Sequence, residues 1–291
     1  MLTRPSQLEL LGKKVCQGIY APTIRYHEGV YYMITTNVPL PGNFYVTAKD
    51  PAGPWSDPVY LPDAEGFDPS LFFDEDGICY YVGNRAKKPS AHYGDYEIWL
   101  RRLDLEERCL KGETYVLWDG CSKYTYWPEG PHIYRHGKWY YLLIAECGTA
   151  FEHCITVARA KAVTGPYESC PNNPLLTHRH LGRDYPVQSV GHADLVEGLG
   201  GQWYTVLLAT RPREGSALLG RETFIARVDW QRGWLVFNRG EGKLREAEFI
   251  GPEKEGVPSG EGLSLTGAAG AGEDELPLNG GQEKEKNKRA I

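Results

Sequence analysis

The 291-residue sequence lacks several features that would each indicate a class of protein. No apolar run approaches the roughly 20 residues that a membrane-spanning helix needs, so a membrane is not an expected partner. Residues 1–7 contain no apolar segment of the kind found in secretory signal peptides. Almost no stretch shows a convincing helical period, which favours an all-β fold.

An excess of positive charge is also missing. The chain has 32 Lys and Arg against 38 Asp and Glu, which gives a formal net charge of -6. Because nucleic-acid binding needs a basic surface that neutralises phosphates, nucleic acid is not an expected partner.

The cysteines form no recognisable framework. None belongs to a CxxC pair or to a Cys/His metal spacing, and their number is odd. Free buried thiols in a reducing compartment are the default, which favours a cytoplasmic location. His178 and His180 alternate as a metal pair would, but no third ligand is apparent, so neither a metal nor another cofactor is predicted. The seven cysteines are at positions 16, 79, 109, 121, 147, 154 and 170.

Aromatic residues are abundant, at 12% of the chain with 19 Tyr. Most are explained by a β-sheet core, since Tyr and Trp are enriched in strands and dominate cores. Flat rings also suit sugar-binding surfaces, so the excess fits both interpretations.

One sequence motif recurs four times: a polar or acidic start, an apolar strand, a turn and an aromatic strand. A second pair of strands follows each copy, and Gly, Asp and Pro mark the turns. Four such units of four strands predict the blades of a β-propeller. A β-sandwich is the rival fold, but it does not predict paired hairpins at this spacing. The four copies begin at Ala21, Asp68, Glu129 and His192.

The last stretch differs from the rest. Gly, Glu and Lys dominate it, and no aromatic residue follows Phe249. Such a composition cannot bury enough apolar surface to offset the entropy of ordering. The sequence therefore predicts a propeller domain over residues 1–250 and a disordered tail over residues 251–291.

The acidic starts of the motif are candidates for chemistry. In a propeller the first strand of each blade lines the central channel, so Asp68, Glu129 and His192 should converge on one funnel. Carboxylates that converge raise each other's pKa and can supply a proton donor, and paired carboxylates are the apparatus of glycoside hydrolysis. A structural role stays open for all three, as a turn starter, a strand cap and a hydrogen-bonded filler. Glu146 and Arg211 are weaker candidates, for which a surface position is favoured.

Five segments in chain order resemble motifs of glycoside hydrolase family 43, in its β-xylosidase and α-L-arabinofuranosidase branch. The similarity extends from about residue 2 to about residue 237. It implies a five-bladed propeller that hydrolyses O-glycosidic bonds of xylosides or arabinosides from hemicellulose by an inverting mechanism, and the choice between the two sugars stays open. The segments are Gly-Ile-Tyr-Ala-Pro-Thr-Ile-Arg-Tyr-His (18–27), Asp-Pro-Ser-Leu-Phe-Phe-Asp (68–74), Pro-Glu-Gly-Pro-His (128–132), Gly-His-Ala-Asp-Leu (191–195) and Leu-Gly-Arg-Glu-Thr-Phe (219–224).

The resemblance also implies residue roles. Glu129 matches the general acid that protonates the leaving-group oxygen, and Asp68 the carboxylate that tunes and orients this acid. His192 matches a residue at the floor of the funnel, and Arg221 one that hydrogen-bonds sugar hydroxyls. Tyr20 matches the aromatic wall of the sugar subsite, where the branch usually has Trp.

One part of the family pattern has no match. Family members carry a general-base Asp in their first blade, and residues 3–8 resemble the connection that leads out of that blade. The expectation is therefore four of the five blades, impaired hydrolysis and self-association through the two open blade faces. Two alternatives are a non-catalytic sugar-binding propeller remnant and a chain that does not fold stably.

Overall fold

The computed structural model describes residues 1–250 except 9–11, 13, 15–16, 39–41, 122–124 and 249. These residues form four antiparallel β-sheets, each built from strands that follow one another along the chain. The all-β prediction and the four propeller blades are thus confirmed. The predicted tail at 251–291 lies outside the described residues.

The first two blades carry strands β1 to β9. In the first blade β1 and β2 both pair with β3, so together they form a broken inner strand. The strands of the first blade are β1 (Gly18–Ile19), β2 (Thr23–His27), β3 (Val30–Val38), β4 (Gly42–Ala48) and β5 (Val59–Tyr60). Those of the second blade are β6 (Ser70–Phe73), β7 (Cys79–Ala86), β8 (Tyr96–Asp104) and β9 (Cys109–Trp118).

The third and fourth blades carry strands β10 to β17 and the three short 3₁₀ turns. The strands of the third blade are β10 (Glu129–His136), β11 (Trp139–Glu146), β12 (Cys154–Ala160) and β13 (Glu168–Ser169). Those of the fourth blade are β14 (Gln188–Glu197), β15 (Trp203–Thr210), β16 (Glu222–Gln231) and β17 (Trp234–Phe237). The 3₁₀ turns are Arg179–Leu181, Leu199–Gly201 and Asn238–Gly240.

Two of the outermost strands are shorter than the sequence predicts. The predicted strand at 55–60 is reduced to Val59–Tyr60, and the one at 165–168 is displaced to Glu168–Ser169. Both predicted segments contain a proline, Pro58 or Pro166, which has no N–H to donate to a neighbouring strand. Pairing therefore begins only after the proline.

The hydrophobic core lies between neighbouring blades. In β3, Met33 and Ile34 belong to different clusters because successive side chains of a strand point to opposite faces. Ile34 packs with Leu71 and Tyr81 of the second blade, whereas Met33 packs with Phe44 on the other face of the first blade. Comparable clusters join the second blade to the third and the third to the fourth. This packing fixes the inner strands around one axis.

The sequence analysis also expected no membrane-spanning helix and cysteines that are free thiols. No helix among the described residues is long and apolar enough to span a membrane. Six of the seven cysteines lie in the described part of the chain, and all six are free thiols.

Candidate active site

A cavity of about 1150 Å³ opens where the inner strands of the four blades meet. It is lined by the five residues to which the family resemblance assigns roles: Tyr20, Asp68, Glu129, His192 and Arg221. The predicted convergence of Asp68, Glu129 and His192 on one funnel is therefore seen in the structure.

Backbone irregularities direct the two acidic side chains into the cavity. Asp68 lies just before β6 with a left-handed φ of 50°. Its backbone N–H donates to Thr36 Oγ1 at 3.2 Å, and its carboxylate accepts from the Ala21 N–H at 3.2 Å. Glu129 begins β10, whose pairing register shifts between Glu129 and His132. Such bulges re-aim side chains, and left-handed residues cluster at functional sites.

The two carboxyl groups differ in their affinity for protons. Burial raises the pKa of Glu129 to about 8, with a further contribution from the charge of Asp68, against the opposing charge of Arg221. Burial also raises the pKa of Asp68 to about 6, but the Ala21 hydrogen bond and Arg221 oppose it. At neutral pH Glu129 therefore holds a proton beside a mostly ionised Asp68.

His192 lines the cavity and packs on the residue that follows Glu129. A Cβ on Gly130 would lie only 2.7 Å from His192 Nε2, so only glycine fits there. His192 has a left-handed φ of 52°. Burial lowers its pKa to about 3, and the nearby His132, His153 and Arg221 lower it further. The imidazole is thus neutral and can hydrogen-bond a ligand without carrying charge.

An ion-pair network that the sequence did not predict crosses the axis beside the cavity. Arg25 donates to both oxygens of Asp194, at 2.8 and 3.0 Å, and to His132 Nδ1 at 2.7 Å. Tyr134 also donates its hydroxyl proton to Asp194 and accepts from the Leu195 N–H at 2.8 Å. Although burial opposes it, this set of positive charges and donors holds the pKa of Asp194 well below its usual range. Asp194 is therefore ionised and fully paired.

Aromatic rings line the cavity on two sides. Tyr20 packs edge-on against Phe67 at 6.2 Å, and Phe67 packs against Tyr96 at 5.9 Å. Trp127 lines the cavity near Glu129 and lies against Gly148, where a Cβ would be 2.8 Å from the indole ring. Such rings offer flat apolar surfaces with polar edges, which suit ligands with both C–H faces and hydroxyls.

The weaker candidates do not reach the cavity. Glu146 was expected near the surface, but it is buried with 1% exposure. It accepts hydrogen bonds from the Cys121 N–H at 2.9 Å and from Thr156 Oγ1 at 2.6 Å, so burial is offset by satisfied oxygens. Arg211 is exposed and pairs with Glu222 at 3.0 Å.

Of the two alternating histidines, His178 is hydrogen-bonded to the backbone through both ring nitrogens. His178 Nδ1 donates to the Val187 carbonyl oxygen at 2.8 Å, and His178 Nε2 accepts a hydrogen bond from the Leu244 N–H at 2.9 Å. Within the described ranges, no group of three His, Cys, Asp or Glu is arranged to hold a metal ion.

Comparison with known proteins gives the family. The model for glycosyl hydrolases family 43 matches residues 1–235. The chain belongs to this family. The resemblance carried by the five motifs is thereby confirmed.

Family 43 relatives match over most of this chain. It is 56% identical over 257 residues to a xylosidase/arabinosidase of Butyrivibrio fibrisolvens, covering 87% of this chain and 50% of the relative. It is 40% identical to a non-reducing end α-L-arabinofuranosidase of Bacteroides ovatus, covering 80% of this chain and 43% of the relative. The chain thus spans about half the length of the curated relatives it matches.

The solved structures agree with the fold. The crystal structure of a xylan β-1,4-xylosidase from Bacillus halodurans superposes with a TM-score of 0.78 at 38% identity. The match covers 87% of this chain and 51% of that one. The family propeller therefore accounts for the blades.

Several residues in or beside the cavity of this family 43 chain were missed by the sequence reasoning. Arg25, His132 and Asp194 lie inside the segments that resemble family motifs, yet nothing in the sequence alone pairs Arg25 with a residue 169 positions away. Phe67 and Trp127 precede Asp68 and Glu129 by one and two residues, and that adjacency was a usable signal.

Proposed function

We propose that the cavity is the active site of a glycoside hydrolase that acts on xylosides or arabinosides, with Glu129 as the general acid. The observation that carries this proposal is a buried Glu129 whose pKa is raised to about 8. A general acid must hold its proton at the working pH and release it to the leaving-group oxygen. Glu129 meets the first condition, and its place in the cavity wall supports the second.

The other cavity residues have roles that follow from their contacts. Asp68 keeps the proton on Glu129 through its negative charge, which raises the pKa of Glu129. Arg221 lies at the cavity surface, where its guanidinium can donate to sugar hydroxyls. His192 supplies a neutral imidazole at the floor, and Tyr20 supplies an aromatic wall. These assignments predict that each residue affects sugar binding or turnover.

Inverting hydrolysis also needs a second carboxylate to activate water. Among the described residues the cavity is lined by three carboxylates, those of Asp68, Glu129 and Asp194. Asp194 is held by Arg25 and Tyr134, and its lowered pKa makes it a poor base. We therefore propose that this chain by itself hydrolyses slowly, by roughly the 10²- to 10⁴-fold that one acid–base group contributes.

The test uses aryl xylosides and arabinosides whose leaving groups differ in acidity. Glu129→Gln should slow hydrolysis of substrates with poor leaving groups far more than of dinitrophenyl glycosides, which leave without a proton. Glu106→Gln, on an exposed turn, is the matched control. Added azide should raise the rate if a base is lacking. Failure of Glu129→Gln to change any rate would disprove the assignment.

A non-catalytic sugar-binding propeller is the second candidate function. The full pairing of Asp194 favours it, because the described cavity then has no ionised carboxylate left besides Asp68, which is already assigned to Glu129. Calorimetry with xylo-oligosaccharides separates the two candidates. Binding without turnover would support a binding module, and absence of binding would remove it.

We also propose that the chain self-associates through the open faces of the first and last blades. Tyr26 and Ile24 in the first blade are 62% and 39% exposed, and Val196 and Val206 in the last are 49% and 40% exposed. Apolar side chains exposed on sheet faces favour association. Light scattering should give a mass above that of a monomer, and Val206→Lys should lower it.

A further inference from the structure

Three thiols lie around one buried residue, Glu146, close in the chain to Gly148 and Thr149 of the cavity wall. Cys121 Sγ lies 3.6 Å from Glu146 Oε2, and Cys154 Sγ lies 3.8 Å from the Glu146 carbonyl oxygen. Thr125 joins the third thiol to this group, because its hydroxyl contacts both the Glu146 carboxylate and Cys147 Sγ. The proposed hydrolysis uses none of these groups.

Two of the thiols face each other across the β11–β12 hairpin. Cys154 is the register partner of Glu146, and Cys147 is the residue that follows Glu146. Each of the two thiols shifts the pKa of the other, so their side chains lie close together. The Cys147 N–H donates to the Tyr126 carbonyl at 2.9 Å, which fixes the backbone of this residue. The pair is therefore held together by the hairpin itself.

The two thiols differ in access and in acidity. Cys147 is half-buried, whereas Cys154 is buried. The hydrogen bond from Cys154 and the one from Thr125 lower the pKa of the Cys147 thiol, while burial and the charge of Glu146 oppose this. Because the thiolate is the reactive form, Cys147 should react first.

We propose that Cys147 and Cys154 form a modification site for hydroperoxides, which oxidise the pair to a disulfide. The Cys147 thiolate attacks the O–O bond, the sulfur becomes a sulfenic acid, and the alkoxide or hydroxide takes up a proton and leaves. The Cys154 sulfur then attacks this sulfenic sulfur, and water leaves as the S–S bond forms. The two thiols lose two electrons, and the hydroperoxide is reduced to an alcohol or water, with a second water formed.

The disulfide would bear on the cavity because of what lies between the cysteines. Gly148 and Thr149 belong to the loop that joins the two cysteines, and both line the cavity. Trp127 packs on Gly148. A covalent link between Cys147 and Cys154 would thus fix one wall of the cavity.

Peptide mass spectrometry tests the proposal on the folded chain treated with a few equivalents of hydrogen peroxide. The tryptic peptide 139–159 contains both cysteines, no other cysteine and no internal Lys or Arg. After denaturation in iodoacetamide, we expect this peptide to carry no alkylated cysteine and to be two hydrogens lighter than its reduced, unalkylated form. The proposal would be overturned if Cys147 and Cys154 were both alkylated under conditions that oxidise Cys109. It would also be overturned if either of them were crosslinked to Cys121 instead.

Cysteine variants test the order of reaction. Cys154→Ser should leave a sulfenic acid on Cys147 that dimedone traps, whereas Cys147→Ser should slow oxidation of Cys154 at least about tenfold, since the thiolate is lost. Equal oxidation rates of Cys154 with and without Cys147 would overturn the assigned order. Cys121→Ser and Cys109→Ser are the matched controls, and both should form the disulfide as the parent chain does.

Discussion

The guanidinium of Arg25, in the first blade, binds both carboxylate oxygens of Asp194, in the last blade. The two residues are 169 positions apart, so this ion pair joins the two ends of the described ring across its axis. Neighbouring blades are otherwise held by apolar clusters. The pair therefore stabilises the one junction in the described residues that lacks such a cluster.

Arg25→Met should destabilise the protein by about 2–4 kcal/mol, because it leaves Asp194 charged and partly buried without its partner. Urea unfolding measures this change. Arg211→Met is the matched control, since it breaks an exposed pair within one blade and should cost less than about 1 kcal/mol. If both variants lost the same free energy of unfolding, the Arg25–Asp194 pair would have no special role in stability.

The same pair gives a pH dependence of known sign. The pKa of Asp194 is lowered in the folded state, so its contribution to stability is present above the usual carboxyl pKa and is lost as pH falls below about 4. The parent chain should lose stability steeply between pH 4 and more acidic values, to an extent that Arg25→Met reduces. Identical acid titrations of the two proteins would contradict this.

Gly130→Ala should disturb the floor of the cavity. The new Cβ would lie 2.7 Å from His192 Nε2, and the backbone already has a left-handed φ of 54°. The substitution should cost about 2–3 kcal/mol and weaken sugar binding, because His192 must move. Gly137→Ala separates backbone strain from the clash with His192, since φ is also positive there, at 59°, but no atom lies within 4 Å of an added Cβ. That control should cost about 1 kcal/mol and leave sugar affinity unchanged.

The blades were predictable because hairpin chemistry and strand alternation are local. Glu28 and Gly29 have φ of 47° and 83°, the positive pair that a tight two-residue turn requires, and a Glu-Gly sequence indicates it. The outermost strands were predicted less well. Pro58 and Pro166 have no backbone N–H to donate to a neighbouring strand, and the hydrophobic pattern does not reveal this loss.

From the repeat alone, only Asp68, Glu129 and His192 could be placed at the site, whereas Tyr20 and Arg221 were expected there from the family resemblance. Asp68 and Glu129 stand at equivalent points of successive blades, so blade geometry alone brings them together. The contact of Arg25 with Asp194 depends on how the first and last blades are placed about the axis, which pairwise sequence patterns do not encode. The burial of Glu146 was missed because its partners, Cys121 and Thr156, are brought to it by tertiary packing.

Glu129→Gln should change how stability depends on pH. The pKa of Glu129 is raised above its value in the unfolded chain, so its stabilising contribution is complete below about pH 4.5 and is lost as pH rises through about 8. The parent chain should lose roughly 4–5 kcal/mol over this interval, most of which the variant should not lose. Thermal unfolding at pH 5 and pH 9 measures the difference. Glu106→Gln, an exposed control, should behave as the parent does; a parent whose stability does not change between these pH values would contradict the raised pKa.

Tyr20→Ala should weaken binding of xylose or arabinose about 3- to 10-fold, because it removes one aromatic face of the cavity. Tyr20→Phe keeps the ring and should stay within about 2-fold of the parent, which separates stacking from hydrogen bonding by the hydroxyl. Calorimetry or quenching of Trp127 fluorescence reports the affinity. Tyr26→Ala is the matched control, since Tyr26 is also exposed but does not line the cavity and packs on Tyr31 at 4.8 Å. If Tyr20→Ala and Tyr26→Ala weakened binding equally, the loss would reflect the fold as a whole, and Tyr20 would have no direct contact with sugar.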